Sequence, residues 1–326
     1  MSEVISTTEK NVWNGWIEKN SRYSPFPQSW EWGDVLIAEG KKVERLMVKE
    51  NDLIFGYAQI VYNFLPLGIK YAFCPKGPIL ADIGQEEVVY QALKNYLVSK
   101  NCVFLRVEPL KLNASGKKVI DTNPRATIIL DLFLGEEKLL ENMHQKTRYN
   151  IRLADKKNLV ISEKKDLNEF LKLEKKTGER DKFKLHNEKH YHEVLNSDLS
   201  YQISASLNAK IIAANIFVGF GNTFTYLYGA SDYEYRNSMA PYLIQWEGIK
   251  LGRKLGYHYY DFFGIAPKQG TGVAYEYDPT HQYAGVTRFK LGFGGSIKED
   301  PGTFDLVYSS SKYMAYQIVR KIRRWV

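Results

Sequence analysis

Between Val43 and Tyr62 ("VERLMVKENDLIFGYAQIVY") apolar and polar positions alternate on both sides of Asn51-Asp52, the period-two pattern of two strands joined by a tight turn. The pattern returns at residues 201 to 220 ("YQISASLNAKIIAANIFVGF"), now around Asn208-Ala209-Lys210. Each pair is followed by the same succession. In the first half come "KYAFCPKGPIL", a helix-period stretch over 85 to 99 and "VFLRVEP"; in the second come "NTFTYLYGAS", a helix over 241 to 255 and "HYYDFFGI". Two copies of a β-β-β-α-β unit, offset by about 156 residues, predict an α+β protein of two similar domains, each a mixed sheet flanked by helices.

Local signals sharpen the helices. Pro241 sits in a first turn, where a missing N–H is harmless; Leu243, Trp246 and Leu251 form an apolar face, and Gly256 lies just past the end. Between the copies, residues 166 to 195 place Leu167, Phe170, Leu171 and Leu173 on one helical side. A break is expected at Thr177-Gly178 before a second short helix, and this segment is expected to open the second domain. The final "SSSKYMAYQIVRKIRRWV" reads as a serine-capped amphipathic helix carrying Arg320, Lys321, Arg323 and Arg324. It fits either the solvated face of a packed helix or attachment to a membrane surface.

A chain of 326 residues accommodates two domains, and its net charge of +8 favours anionic partners: nucleic acid, a nucleotide diphosphate or an acidic membrane. Cys74 and Cys102 stand in apolar settings without a second thiol or histidine at ligand spacing, which argues against a disulfide framework and a metal site. The N-terminus lacks an export signal, and apolar runs such as "IIAANIFVGF" fall short of the roughly 20 residues a membrane span needs. The expectation is a cytoplasmic protein that touches the inner membrane face at most peripherally. Charge is densest in "HQKTRYNIRLADKKNL", residues 144 to 159, where Arg148, Arg152 and Lys156 recur every four residues with Lys146 and Lys157 beside them. On a helix this stripe suits a phosphate backbone, although a solvated face has the same pattern.

The duplicated plan resembles the GCN5-related N-acetyltransferase fold (GNAT, acyl-CoA N-acyltransferase-like), whose loop Arg/Gln-x-x-Gly-x-Gly/Ala holds the coenzyme A pyrophosphate on backbone N–H groups at a helix start. In "RNSMAPYLIQWEGI" Arg236 is kept, but Met239 replaces the first glycine and Pro241 the second; the first copy, "ADIGQEEVV", offers acids instead. Coenzyme A binding is disfavoured, and an acyl group must come from another carrier.

The blocks "QSWEWG", "PKGPIL", "FLRVEP", "KTRYNIRLADKKNL", "TGERDKFKLH", "YLYGASDYEYRNSMAPYLIQWEGI", "YYDFFGIAP" and "GVTRFKLGFGG" run in order over nearly the whole chain. Together they resemble the FemABX family of peptidoglycan interpeptide-bridge aminoacyltransferases, in the compact form without a coiled-coil arm. The resemblance implies two GNAT-like domains, 1–138 and 139–299, the first completed by a C-terminal helix of about 300–326. It also implies transfer of an amino acid from aminoacyl-tRNA, a co-substrate with no further cofactor, to a side-chain amine of a stem peptide. The acceptor would be UDP-MurNAc-pentapeptide or a lipid-linked peptidoglycan precursor, and no stable protein partner is implied. A GNAT-fold acyltransferase with another donor or acceptor, and a noncatalytic RNA- or precursor-binding protein, are the competing readings.

Site residues follow from the same resemblance. Lys290, preceded by Phe289, falls near the donor end of tRNA, a cation for phosphate or oxyanion beside a stacking aromatic; by spacing alone it is a surface lysine next to a core phenylalanine. Lys146, Arg148 and Arg152 are the further tRNA contacts. Tyr228 maps to the acceptor groove, alternating with Tyr226 on one strand face, where sheet packing is the other reading. Tyr242 and Arg236 flank the degenerate loop, whose helix start favours an anion. Asp34, His186 and His190 stand where compact members grip the acceptor with a lysine, an arginine and a tyrosine, so an acceptor held chiefly through its diphosphate is disfavoured. Glu108 occupies the place of a family acid before proline; an ordinary carboxylate is a weak base for an ammonium, which favours an orienting role.

Overall fold

Asn51, at φ +52°, turns the chain between the strands Lys42–Glu50 and Leu53–Phe64; Asn208 and Ala209, at +50° and +62°, do the same between Ser200–Leu207 and Lys210–Phe220. Left-handed residues of this kind match the twist of a two-strand hairpin, and asparagine tolerates them best. The computed structural model describes residues 2–111, 116–181, 185–271 and 274–325, without the side chains of Leu67 and residues 321–325. The side chains of Lys321, Arg323 and Arg324, and part of "TGERDKFKLH" (182–184), therefore lie outside the described residues.

The chain forms two compact units, Met1–Arg125 with Asp300–Val326, and Ala126–Glu299. In the first, the sheet order is Glu3–Ser6, Lys42–Glu50, Leu53–Phe64, Lys70–Cys74, Phe104–Val107, Phe304–Val307 and Lys117–Lys118. In the second it is Ser296–Glu299, Ala126–Asp131, Tyr259–Asp261, Thr223–Ser231, Lys210–Phe220, Ser200–Leu207 and Val160–Ser162. Each sheet holds one parallel pair, Lys70–Cys74 with Phe104–Val107 and Thr223–Ser231 with Tyr259–Asp261, at matching places in the repeat. Both units have the α+β, GNAT-like plan.

The helix Glu86–Ser99 buries Val89, Ala92, Leu93 and Leu97 in a core with Leu46, Ile60 and Leu105. Its counterpart Ala240–Lys254 buries Leu243, Ile244, Ile249 and Leu251 with Phe217, Phe224 and Tyr260. Each buried Val, Leu or Ile side chain among them contributes about 1.5–3 kcal/mol. Gly248 and Gly252 let that helix approach closely: a Cβ there would lie 2.4 Å from the Phe217 ring and 2.9 Å from the Phe224 ring.

Two expectations are corrected. The division falls at 125/126 rather than 138, because Ala126–Asp131 pairs with Tyr259–Asp261 and Ser296–Glu299 in the second sheet, so this strand and not the 166–195 segment opens the unit. No break occurs at Thr177-Gly178. The helix Leu167–Asp181 runs through, with the Thr177 hydroxyl donating to the Leu173 carbonyl at 2.9 Å and Gly178 lying under Leu185; the next helix is Glu188–Asn196. Among the described residues no helix is long and apolar enough to cross a membrane.

Candidate active site

In the second unit, the strand Tyr259–Asp261 ends at a carboxylate that organises the following turn. Asp261 Oδ1 accepts from the Phe263 N–H at 2.7 Å and from the Thr127 hydroxyl. Phe263 adopts φ +54°, a conformation rare for a bulky side chain and a common companion of functional sites. The helix Ala284–Leu291 is clamped to this turn, its Thr287 hydroxyl accepting from the Ala266 N–H at 2.8 Å.

On that helix Lys290 points inward. Its Nζ donates to the Gly264 carbonyl at 2.8 Å and to the Phe263 carbonyl at 3.4 Å, and stands 5.3 Å from the Tyr226 ring centre. The residue is only 7% exposed. Burial lowers its pKa to about 7, against the opposing pull of Asp261. Phe289 is half-buried and meets Tyr242 edge-on at 5.0 Å and Phe293 at 5.2 Å. The surface-lysine reading is thus inverted: the lysine is the more buried of the pair.

Tyr226 and Tyr228 do not share a strand face. Tyr226 lies opposite Phe217 and Tyr228 opposite Ile216, consecutive residues that point to opposite sides, so a bulge at Leu227 splits the two tyrosines. Tyr226 goes to Lys290. Tyr228 goes to the helices, where its hydroxyl is 2.7 Å from His190 Nε2, and the exposed His186 ring stacks on His190 at 4.2 Å. Beside them Tyr191 donates to Glu174 Oε1 at 2.9 Å, while Glu174 Oε2 is buried without a partner. Burial raises the Glu174 pKa. Sequence reading missed this acid, although it lies four residues after Phe170 and so on the same buried helical face.

At the degenerate loop the amides of Met239, Ala240 and Tyr242 are already engaged. Met239 itself is left-handed, at φ +56°; its N–H bonds the Arg236 carbonyl at 3.2 Å, the Ala240 N–H bonds the Ser238 hydroxyl at 3.3 Å, Pro241 has none, and the Tyr242 N–H bonds the Met239 carbonyl at 3.0 Å. Arg236 turns away, its guanidinium 4.6 Å from the Tyr233 ring centre and donating to the Tyr233 carbonyl at 3.3 Å.

The helix Gln145–Asp155 buries Thr147, Asn150, Ile151 and Ala154. Arg148 is not part of a free stripe: it caps the preceding helix through the carbonyls of Leu140 at 3.3 Å, Glu141 at 3.1 Å and Met143. Lys146, Arg152, Lys156 and Lys157 are exposed, with Tyr149, 62% exposed, between the first two.

In the first unit, Glu108 is buried and its carboxylate accepts from four donors: Lys76 N–H at 3.1 Å, Asn123 N–H and side-chain amide at 2.7 Å each, and the Thr303 hydroxyl at 3.1 Å. Such a group braces loops, with all four of its acceptor positions occupied. Asp34 is likewise engaged, with Arg45 at 2.6 Å, whose guanidinium lies 3.7 Å from the Trp30 ring centre. Among the described residues no cluster of three metal-ligating side chains occurs.

A match to the FemAB family covers residues 8–129, 117–207 and 196–321. The lipid II:glycine glycyltransferase of Staphylococcus epidermidis is 22% identical, over 90% of this chain and 89% of that protein. The aminoacyltransferase FemA of Staphylococcus aureus is 29% identical over a shorter stretch, 36% of this chain and 26% of its own. The crystal structure of FemX superposes with a TM-score of 0.80 at 16% identity, covering 96% of this chain and 99% of the other. The family match runs from residue 8 to 321, a range that contains the buried lysine and the degenerate loop, and the chain belongs to the FemAB family.

Proposed function

We propose that the protein is a peptidoglycan-bridge aminoacyltransferase that moves an amino acid from aminoacyl-tRNA to the side-chain amine of a peptidoglycan precursor. The observation that carries this reading is the buried Lys290, held by the Gly264 and Phe263 carbonyls beside Phe289 and Tyr242, in a GNAT-like unit whose loop amides at Met239, Ala240 and Tyr242 are committed. A carrier other than coenzyme A suits that loop, and two relatives are named as a lipid II:glycine glycyltransferase and an aminoacyltransferase.

In this mechanism the neutral acceptor amine attacks the ester carbonyl; the N–C bond forms, the bond to the ribose oxygen breaks, and the amine proton leaves with that oxygen. The Lys290 ammonium stabilises the oxyanion that develops between these events. Phe289 and Tyr242 offer rings against which the terminal base stacks. Lys146, Tyr149 and Arg152 line an exposed face suited to the tRNA backbone. Tyr228, His190 and His186 form the acceptor side. Their histidines suit a lipid-linked precursor, such as the one named for the glycyltransferase relative, better than recognition through a diphosphate alone. The protein would then work at the cytoplasmic face of the membrane with no cofactor besides the charged tRNA.

Incubation with a mixed pool of charged tRNAs and with soluble or lipid-linked precursors, followed by mass analysis, tests the reading. The expected product gains one amino-acid residue at the stem-peptide amine. Acylation from acetyl-coenzyme A, or binding without any transfer, would replace it with one of the competing readings.

A further inference from the structure

Glu174 lies on the helix Leu167–Asp181, on the face that also buries Phe170, Leu173 and Thr177, and is 4% exposed. Its Oε1 accepts from the Tyr191 hydroxyl at 2.9 Å, whereas Oε2 is buried with no hydrogen-bond partner. Among the described residues no cation pairs with this carboxylate: burial raises its pKa, and the Tyr191 hydroxyl alone pulls it back. An acid held dry with one oxygen unmet is costly, and a ligand that brings a positive charge together with N–H donors removes that cost.

The surroundings narrow the chemistry of such a ligand. Tyr191 meets the Phe170 ring at 5.5 Å and the Tyr228 ring edge-on at 5.3 Å, so phenyl and phenol rings stand beside the carboxylate, and their faces attract cations. A metal ion needs several ligands, and no cluster of three ligating side chains occurs among the described residues. A primary ammonium is compact, carries three donors and fits one carboxylate oxygen among rings. The fold also supplies an entrance. Pairing of Thr223–Ser231 with Tyr259–Asp261 stops at Thr225, and residues 226–229 are half-buried where Thr223, Phe224 and Thr225 are buried, so the sheet opens at the level of Tyr226 and Tyr228.

Tyr226 connects this acid to the buried lysine. Burial and then the Glu174 carboxylate push its phenol pKa up, while Lys290 Nζ stands 5.3 Å from its ring centre. The acid and the lysine thus share one neighbour. A second cation brought near the Lys290 ammonium is repelled unless an anion receives it.

We propose that Glu174 receives the side-chain ammonium of the acceptor, which enters at the open edge of the strand beside Tyr228. This rests on the transferase reading above and locates the amine within it. The role is recognition: the ammonium docks on Oε2 and gives one proton to water before the neutral amine attacks.

The test is equilibrium binding of the full chain to soluble and lipid-linked pentapeptide precursors, containing lysine or diaminopimelate, with the side-chain amine free or acetylated. Loss of a charge-assisted hydrogen bond predicts about tenfold or greater preference of the wild type for a free-amine form over its acetylated form, and Glu174→Gln should remove that preference. In transfer assays Glu174→Gln should raise the acceptor KM by a similar factor and leave the KM for charged tRNA unchanged. Absence of binding, equal wild-type affinity for free and acetylated forms, or the same preference in Glu174→Gln would overturn the proposal. The wild-type comparison needs no variant to fold. Amine-dependent binding that Glu174→Gln loses, without transfer from any charged tRNA, would uphold the subsite and overturn the transferase reading instead.

Discussion

The Lys290 amine donates to the Gly264 carbonyl across 2.8 Å from inside the protein, with the Phe263 carbonyl and the Tyr226 ring beside it. A lysine so placed is held at a cost to stability. Its pKa lies near 7, well below that of a free lysine, so the penalty is full below pH 7 and disappears as pH rises toward the unfolded value. Lys290→Met should therefore melt higher than the wild type by about 1–3 kcal/mol at pH 6, with the gap closing by pH 10. Transfer should fall about 100-fold or more. Denaturant titration across pH, paired with turnover, checks both; lower stability in the variant would contradict the account.

The pH dependence of transfer follows from the same group. With a neutral amine as nucleophile and the Lys290 ammonium as the active form, turnover at fixed substrate rises with pH up to about 7 and levels off above it, while Lys290→Arg keeps rising past that point. A wild-type profile that climbs through pH 8 as steeply as below pH 7 would contradict the ammonium as the active form.

Met239 occupies the left-handed region that favours glycine. Met239→Gly should be neutral to stabilising, within about 1 kcal/mol, because relief of strain offsets the entropy of a glycine. It should not create coenzyme A affinity, since the neighbouring amides stay engaged. Calorimetric titration with acetyl-coenzyme A reads this directly.

Arg148 and Arg152, one turn apart, should behave differently. Arg148→Ala removes a cap on the helix Glu136–Asn142 and is expected to destabilise by about 1–2 kcal/mol with little effect on RNA binding. Arg152→Ala should leave the melt unchanged and reduce the salt slope of tRNA binding by roughly one. Tyr149→Ala should weaken binding by about 1–3 kcal/mol if a base stacks there.

The bidentate Arg106–Asp305 pair fastens the late strand Phe304–Val307 to Phe104–Val107 inside the first unit. Asp305→Ala strands a buried guanidinium, and a loss of about 3–5 kcal/mol in urea unfolding is expected.

The hairpins, both central helices, the duplication and the family were legible in the residues, because alternation, turn asparagines and caps are local and the motif blocks keep their order along the chain. Contacts between residues distant in sequence decided the rest. Ala126–Asp131 reads as a strand from its residues, but only its partners Tyr259–Asp261 and Ser296–Glu299 assign it to the second unit. Nothing near Lys290 in the chain announces that carbonyls at 263 and 264 will bury it, nor that one extra residue at Leu227 will send Tyr226 and Tyr228 to opposite faces. Periodicity specifies which side of an element is apolar; what that side meets, and hence whether a charge there is solvated, capped or held dry, is set when the sheets and helices close on one another.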